Sequence, residues 1–320
     1  YIYSDLEKGV NADGIDICSS KNVIISDSII TTADDAIVLK AIARNGKKAN
    51  VVENVTVTNC VLTSSSTALM IGTETEADIR HVIFSNCVIR NSNKGFGINV
   101  QDGAVVSDVI FSNLTIETSR RHWNWWGDSE MCKFVLKKRT DASALGQIRD
   151  IFIDNISVRA RGTSTLTGHA GQPLENIRMS NVRLFMEVEN ARDKRATDAI
   201  RIENVKGLQL RDVSVEWNEK ETEPMWQSAL VLKNIQDFTV DTFSGRQGLK
   251  DKDVPGIVVD NSTDGIVRNS SAVAGTATFI HIKGAETKDL ALRYNRTGKA
   301  KKSVTFENDL VKKAVTADQS

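Results

Sequence analysis

Proline is scarce in this chain, with three among 320 residues. Long apolar runs are lacking too, and none approaches the roughly 20 residues that a membrane-spanning helix needs. Neither sign of charge is in excess: Lys+Arg and Asp+Glu both number 41. That leaves no electrostatic case for nucleic acid or an anionic membrane as a partner. The four cysteines, Cys18, Cys60, Cys87 and Cys132, are too few to scaffold a chain of this length. No signal peptide precedes Tyr1. The chain is read as a fragment or processed form, so the missing signal says nothing about export. Disorder is expected only over 312–320, where the apolar period is lost.

What is present is a repeat. A phrase of the form Asn/Asp-apolar-x-apolar-polar-Asn runs through the sequence. It appears as Asn22-Val23-Ile24-Ile25-Ser26-Asp27, Asn54-Val55-Thr56-Val57-Thr58-Asn59 and His81-Val82-Ile83-Phe84-Ser85-Asn86. Asp108 to Asn113, Asp150 to Asn155 and Asn176 to Asn181 follow, with weaker copies beyond Gly207. Most steps are about 24 to 32 residues, which suits one coil of three short strands in a β-solenoid. The period-2 alternation and the Val, Ile and Phe content mark strands rather than helices. A second apolar run falls in most coils, as in Asp35 to Lys40, Thr67 to Gly72, Lys94 to Val100 and Phe134 to Lys138. An antiparallel sandwich would want hairpin turns every 8 to 12 residues instead. The expected fold is all-β: a right-handed parallel β-helix of roughly ten coils. It forms one domain over 1–311, with N-terminal coils missing. Asn residues after the strands are expected to stack as ladders, with glycosylation of the six Asn-x-Ser/Thr triplets a lesser reading. Cys60 and Cys87 share a slot on adjacent coils, either as two buried thiols or as a disulfide.

Aligning the second runs places Ile15, Ile37, Leu69 and Phe96 in one inward column, and Ile17, Leu39, Ile71 and Ile98 in another. Asp16, Val38, Met70 and Gly97 then point outward, as do Cys18, Lys40, Gly72 and Asn99. Asp13, Asp35, Thr67 and Lys94 stand just ahead of the strands. Asp13 and the Asp34-Asp35 pair therefore meet at one bend of neighbouring coils, roughly 5 Å apart along the rod. Adjacent carboxylates raise one another's pKa and cost stability, which makes the cluster a functional candidate.

Asn11-Ala12-Asp13-Gly14-Ile15-Asp16 resembles the Asn-Thr-Asp-Gly-x-Asp motif of glycoside hydrolase family 28, the polygalacturonase-type pectinases. Asp34-Asp35 resembles that family's Asp-Asp motif, and the 21-residue step from Asp13 to Asp34 matches its spacing. The resemblance implies hydrolysis of a glycosidic bond with inversion. Asp34 would be the general acid, and Asp13 and Asp35 would activate water. Stacking suggests a gap shorter than the roughly 6.5–9.5 Å usual for inverting pairs, so the stereochemistry comes from the resemblance. The family's Gly-His-Gly is replaced here by Ser66-Thr67-Ala68, and its Arg-x-Lys by Gly97-Ile98-Asn99. Both changes touch substrate recognition, so the expected substrate is a pectic or related polysaccharide, galacturonan or rhamnogalacturonan-like. Either Lys40 or Lys94 would compensate for the missing cations, or the sugar in the cleaved position would be neutral.

Candidate substrate contacts are thus Lys40, Thr67, Lys94 and Asn99, with Glu74 and Asp102 at strand ends. Arg120 to Glu130 is an insertion holding three of the five tryptophans, which adds Trp125, Trp126 and Glu130 as sugar contacts. Long loops of this kind suggest exo action. No cofactor or metal is expected, the partner being the polysaccharide alone, with an extracellular or periplasmic location. Two alternatives stand beside the hydrolase: a β-helix lyase using Ca²⁺ and a basic residue, and a non-catalytic sugar-binding rod.

Overall fold

The computed structural model describes residues 1–9, 11–121 and 126–317. Its strands stack as a parallel β-helix, with every strand-to-strand register parallel. That excludes the antiparallel sandwich. The first full coil contributes Ile15–Cys18, Lys21–Ser26 and Ile29–Thr32. The next contributes Ile37–Ala41, Val52–Thr58 and Val61–Ser64. Two more site-face strands, Thr67–Thr75 and Lys94–Val100, continue the stack towards Glu130–Leu136.

The repeated phrase forms the second face. Val23, Val55, Val82, Val109, Ile151 and Ile177 pair in one continuous column. The polar residues that bound the phrase have a backbone reason. Both ends of it, as at Asn54 and Asn59 or Asn113 in the next coils, take positive φ near 55°. Among the described non-glycine residues with positive φ, all but Ser19, His81, Ser129, Thr242 and Tyr294 are Asn or Asp. These residues tolerate the left-handed region because their short side chains bond locally. The expected ladder forms on this geometry: Asn113 donates to Asn86 at 3.0 Å and Asn155 to Asn113 at 2.8 Å.

The expected inward columns pair in register, from Ile15 through Ile37 and Leu69 to Phe96. Phe84, Phe96 and Phe111 stack beneath the site face at 4.4 to 5.0 Å. All four cysteines are free, Cys60 and Cys87 both buried.

Four features differ from the sequence reading. The strand expected at Phe134 to Lys138 begins earlier, at Glu130. Ser164–Thr167 supplies a site-face strand that the apolar pattern hides, since Leu166 is its one apolar residue. The column Lys40–Gly72–Asn99 is broken: Leu39 pairs with Ile71 but Ala41 with Thr75, a bulge at Gly72-Thr73-Glu74. Gly72 has φ +103°, and a Cβ there would lie 2.1 Å from the Asn99 carbonyl, so only glycine fits. The stretch from 312, expected to fray, completes the helix Asp309–Lys313. It then forms Val315–Ala317, paired with Lys288–Arg293.

Candidate active site

The bend before Ile37–Ala41 presents two adjacent carboxylates because its backbone is pinned on both sides. The Asp34 carbonyl accepts from the hydroxyls of Thr32 and Ser64, each at 2.7 Å. Asp34 Oδ1 accepts the Asp35 N–H at 2.9 Å. Asp35 Oδ1 accepts the Thr67 N–H from the next coil, also at 2.9 Å. Asp13 arrives from the preceding coil, where Gly14 donates its N–H to the Asp35 carbonyl at 2.9 Å. The glycine is required: a Cβ on Gly14 would lie 2.4 Å from the Ala36 carbonyl. The result is a cluster in which Asp13, Asp34 and Asp35 each offer an oxygen within 4.8 Å of the others.

Three like charges at this spacing need compensation. Lys40 supplies it on one side, with Nζ 3.5 Å from Asp13 and 3.0 Å from Asp16. Burial pulls the Lys40 ammonium down, but Asp16 and Asp13 outweigh it and leave it above its ordinary value. Burial holds Asp13 above the usual carboxylate range against the pull of Lys40. Asp34 is raised by burial and then by Asp13. Asp35 is raised by burial and then by Asp34, with Lys94 pulling the other way. Ser66 stands close enough to both carboxyls to favour their ionised forms against burial. A cluster that retains a proton can give it to a leaving oxygen, while its ionised members accept one from water.

The other sequence candidates fall into two groups. Thr67, Lys94 and Glu130 continue the row that begins with Asp13 and Asp35, in register on successive coils. Lys94 is 6% exposed and Glu130 1%, so they lie beneath the face rather than on it. Glu74, Asn99 and Asp102 lie at the opposite end of the strands. Asp102 accepts two bonds from Arg139, at 2.6 and 2.8 Å, and the Thr75 N–H at 3.0 Å. The Arg139 guanidinium holds Asp102 below its ordinary range. Half-buried Glu74 accepts from Thr73 at 3.3 Å, and Asn99 from Gln101 at 3.0 Å. Trp126 is 79% exposed. Trp125 lies outside the described residues.

The sequence reading named Ser66 only in the Ser66-Thr67-Ala68 stretch that stands in place of the family's Gly-His-Gly, and did not count it among the site residues. It also missed the segment 187–197, which locks onto the tryptophan insertion. Arg195 pairs with Asp128 at 2.6 Å, and buried Arg120 pairs with Asp193 at 3.1 Å. Both loops stand at the corner that leads into site-face strands, Glu130–Leu136 and Ile200–Trp217.

A profile of glycosyl hydrolases family 28 matches residues 3–197, which span the carboxylate cluster and the insertion. The chain belongs to this family. Among solved structures it is similar to a hyperthermoactive exopolygalacturonase from Thermotoga maritima, with a TM-score of 0.52 and 19% identity. That match covers 66% of this chain and 45% of the exopolygalacturonase, so the family 28 chain spans less than half of that protein. The likeness is one of fold. A looser overlap links it to an endo-xylogalacturonan hydrolase from Aspergillus tubingensis, at 11% identity, a TM-score of 0.30 and 94% and 92% coverage of the two chains. A search of curated proteins found no match.

Proposed function

We propose that this chain forms the catalytic coils of a glycoside hydrolase acting on a pectin-type polysaccharide by acid/base hydrolysis with inversion. The observation that carries the reading is the meeting of Asp13, Asp34 and Asp35 within 4.8 Å in a chain of family 28. In the proposed step, protonated Asp34 gives its proton to the glycosidic oxygen as the bond from that oxygen to the anomeric carbon breaks. Water forms the new bond to that carbon and passes its proton to Asp35 or Asp13. Inversion rests on family membership, because oxygens this close are nearer the roughly 5–5.5 Å of retaining pairs.

An exo preference is supported by the interlocked loops at the corner, which would wall one end of a groove along the site face. Lys40 would meet the sugar, with Trp126 as an exposed stacking surface. Such a substrate places the enzyme outside the cell or in a periplasm. Among the described residues no helix is long and apolar enough to cross a membrane. The test is release of reducing sugar from galacturonan, rhamnogalacturonan and neutral pectic side chains. Release by the native protein, lost in Asp34→Asn with binding retained, supports the reading. Binding without release in every substrate overturns it.

A further inference from the structure

The row that holds Asp35 does not end at the carboxylates. Thr67 follows Asp35, Lys94 pairs in register with Thr67, and Glu130 with Lys94. Thr67 is bonded on both sides. Its N–H donates to Asp35 Oδ1 at 2.9 Å, and its Oγ1 accepts from Lys94 Nζ at 3.3 Å. The ammonium also donates to the Trp126 carbonyl at 3.2 Å. A cation this deeply buried needs anions near it to stay charged. The acids facing it are Asp35 on one side and Glu130 on the other. Around them stand Asp34, Asp13 with Lys40, and, beyond Glu130, Lys133 and Asp128.

The two lysines bracket the cluster. Lys40 compensates Asp13, and Lys94 backs Asp35 through Thr67. Among the described residues Asp34, which lies between them, makes no ion pair. We propose that Lys94 is a positioning residue for Asp35, acting through Thr67 to hold that carboxylate in place and ionised, so that the proton of the cluster resides on Asp34. The proposal rests on the hydrolase reading and deepens it: Lys94 serves the reacting carboxylates from beneath the face and does not touch the sugar.

Three variants test this. Lys94→Met keeps the stem and removes the charge, Lys94→Arg keeps the charge, and Thr67→Val cuts the bridge at its hydroxyl. Circular dichroism and melting first establish that each is folded. In Lys94→Met, kcat is expected to fall at least about tenfold with KM nearly unchanged, and the acidic limb of the kcat–pH profile to move up by about one unit. Lys94→Arg restores most of both. Should Lys94→Met not fold, Thr67→Val is expected to shift the limb in the same direction. A raised KM with an unmoved limb would make Lys94 a substrate contact and overturn the proposal. So would a Lys94→Arg variant as impaired as Lys94→Met, which would mean packing alone. A carbon-13 carboxyl titration of native protein and Lys94→Met reads the same coupling without turnover, as a higher Asp35 midpoint in the variant. If the native protein releases no sugar, the hydrolase reading fails while the titration still stands. If sugar is released but the midpoint is unmoved, the Lys94 proposal alone fails.

Discussion

At the scale of single residues, Asp34 is held in the fold at a cost in stability. Burial and Asp13 raise it above the ordinary 3.8. A folded-state pKa above the unfolded one means that the folded chain binds the proton more tightly. Stability is therefore lost as pH rises between the two values, and the deficit persists above both. Asp34→Asn removes that deficit. It is expected to raise Tm at pH 7 while lowering kcat about a thousandfold or more. At pH 3, where the carboxyl is protonated in both states, the gain in Tm should vanish; calorimetry at the two pH values checks the sign. The carboxylates themselves were legible in the sequence, because three acids at two bends of a repeat need a reason beyond solubility. The burial of Lys94 and Glu130 was not. Their column is readable from the repeat, but their depth depends on contacts from a later loop, such as the Trp126 carbonyl that accepts from Lys94 Nζ.

At the scale of the strand and loop, two positions decide whether the cluster forms. Gly14→Ala pushes a methyl against the Ala36 carbonyl, 2.4 Å away, and separates the coil of Asp13 from that of Asp35. A destabilisation of about 1–3 kcal/mol is expected, with a loss of kcat larger than the unfolding alone accounts for at 25 °C. Denaturant titration beside kinetics separates the two. The loop lock is the other. Arg195→Ala with Asp128→Ala in a double-mutant cycle is expected to couple by less than about 1 kcal/mol in stability, since both side chains are partly exposed. The product pattern should change more, with longer oligosaccharides released once the wall is loosened. The repeat showed most strands but not Ser164–Thr167, where register with Glu130–Leu136 and Ile200–Trp217 outweighs a polar composition. It also could not show the bulge at Gly72, which depends on where the Asn99 carbonyl of the next coil lies.

At the scale of the molecule, the chain is a stack in which each coil is supported by its neighbours. That is why a phrase recurring about every 27 residues, as between Val55, Val82 and Val109, was enough to reveal the architecture. Each copy meets the last in register, and the Asn and Asp at its ends supply the left-handed corners. The same regularity hides the function of particular rungs. Asp198 gives an example: its carboxylate accepts the Ser228 N–H at 3.0 Å, just as Asp35 accepts that of Thr67, yet it pairs with Arg201, which also holds Glu203 at 3.2 Å. Part of what Asp35 does is thus a corner bond of the rod, and what sets it apart is the company of Asp34 and Asp13, on which the proposed hydrolysis rests. Proton NMR of a pectic oligosaccharide during the first minutes of digestion tests that claim most directly. The native protein is expected to give new reducing ends of inverted configuration, and Asp34→Asn none. Equal release by Asp34→Asn, or the vinyl signal of an unsaturated sugar, would contradict it.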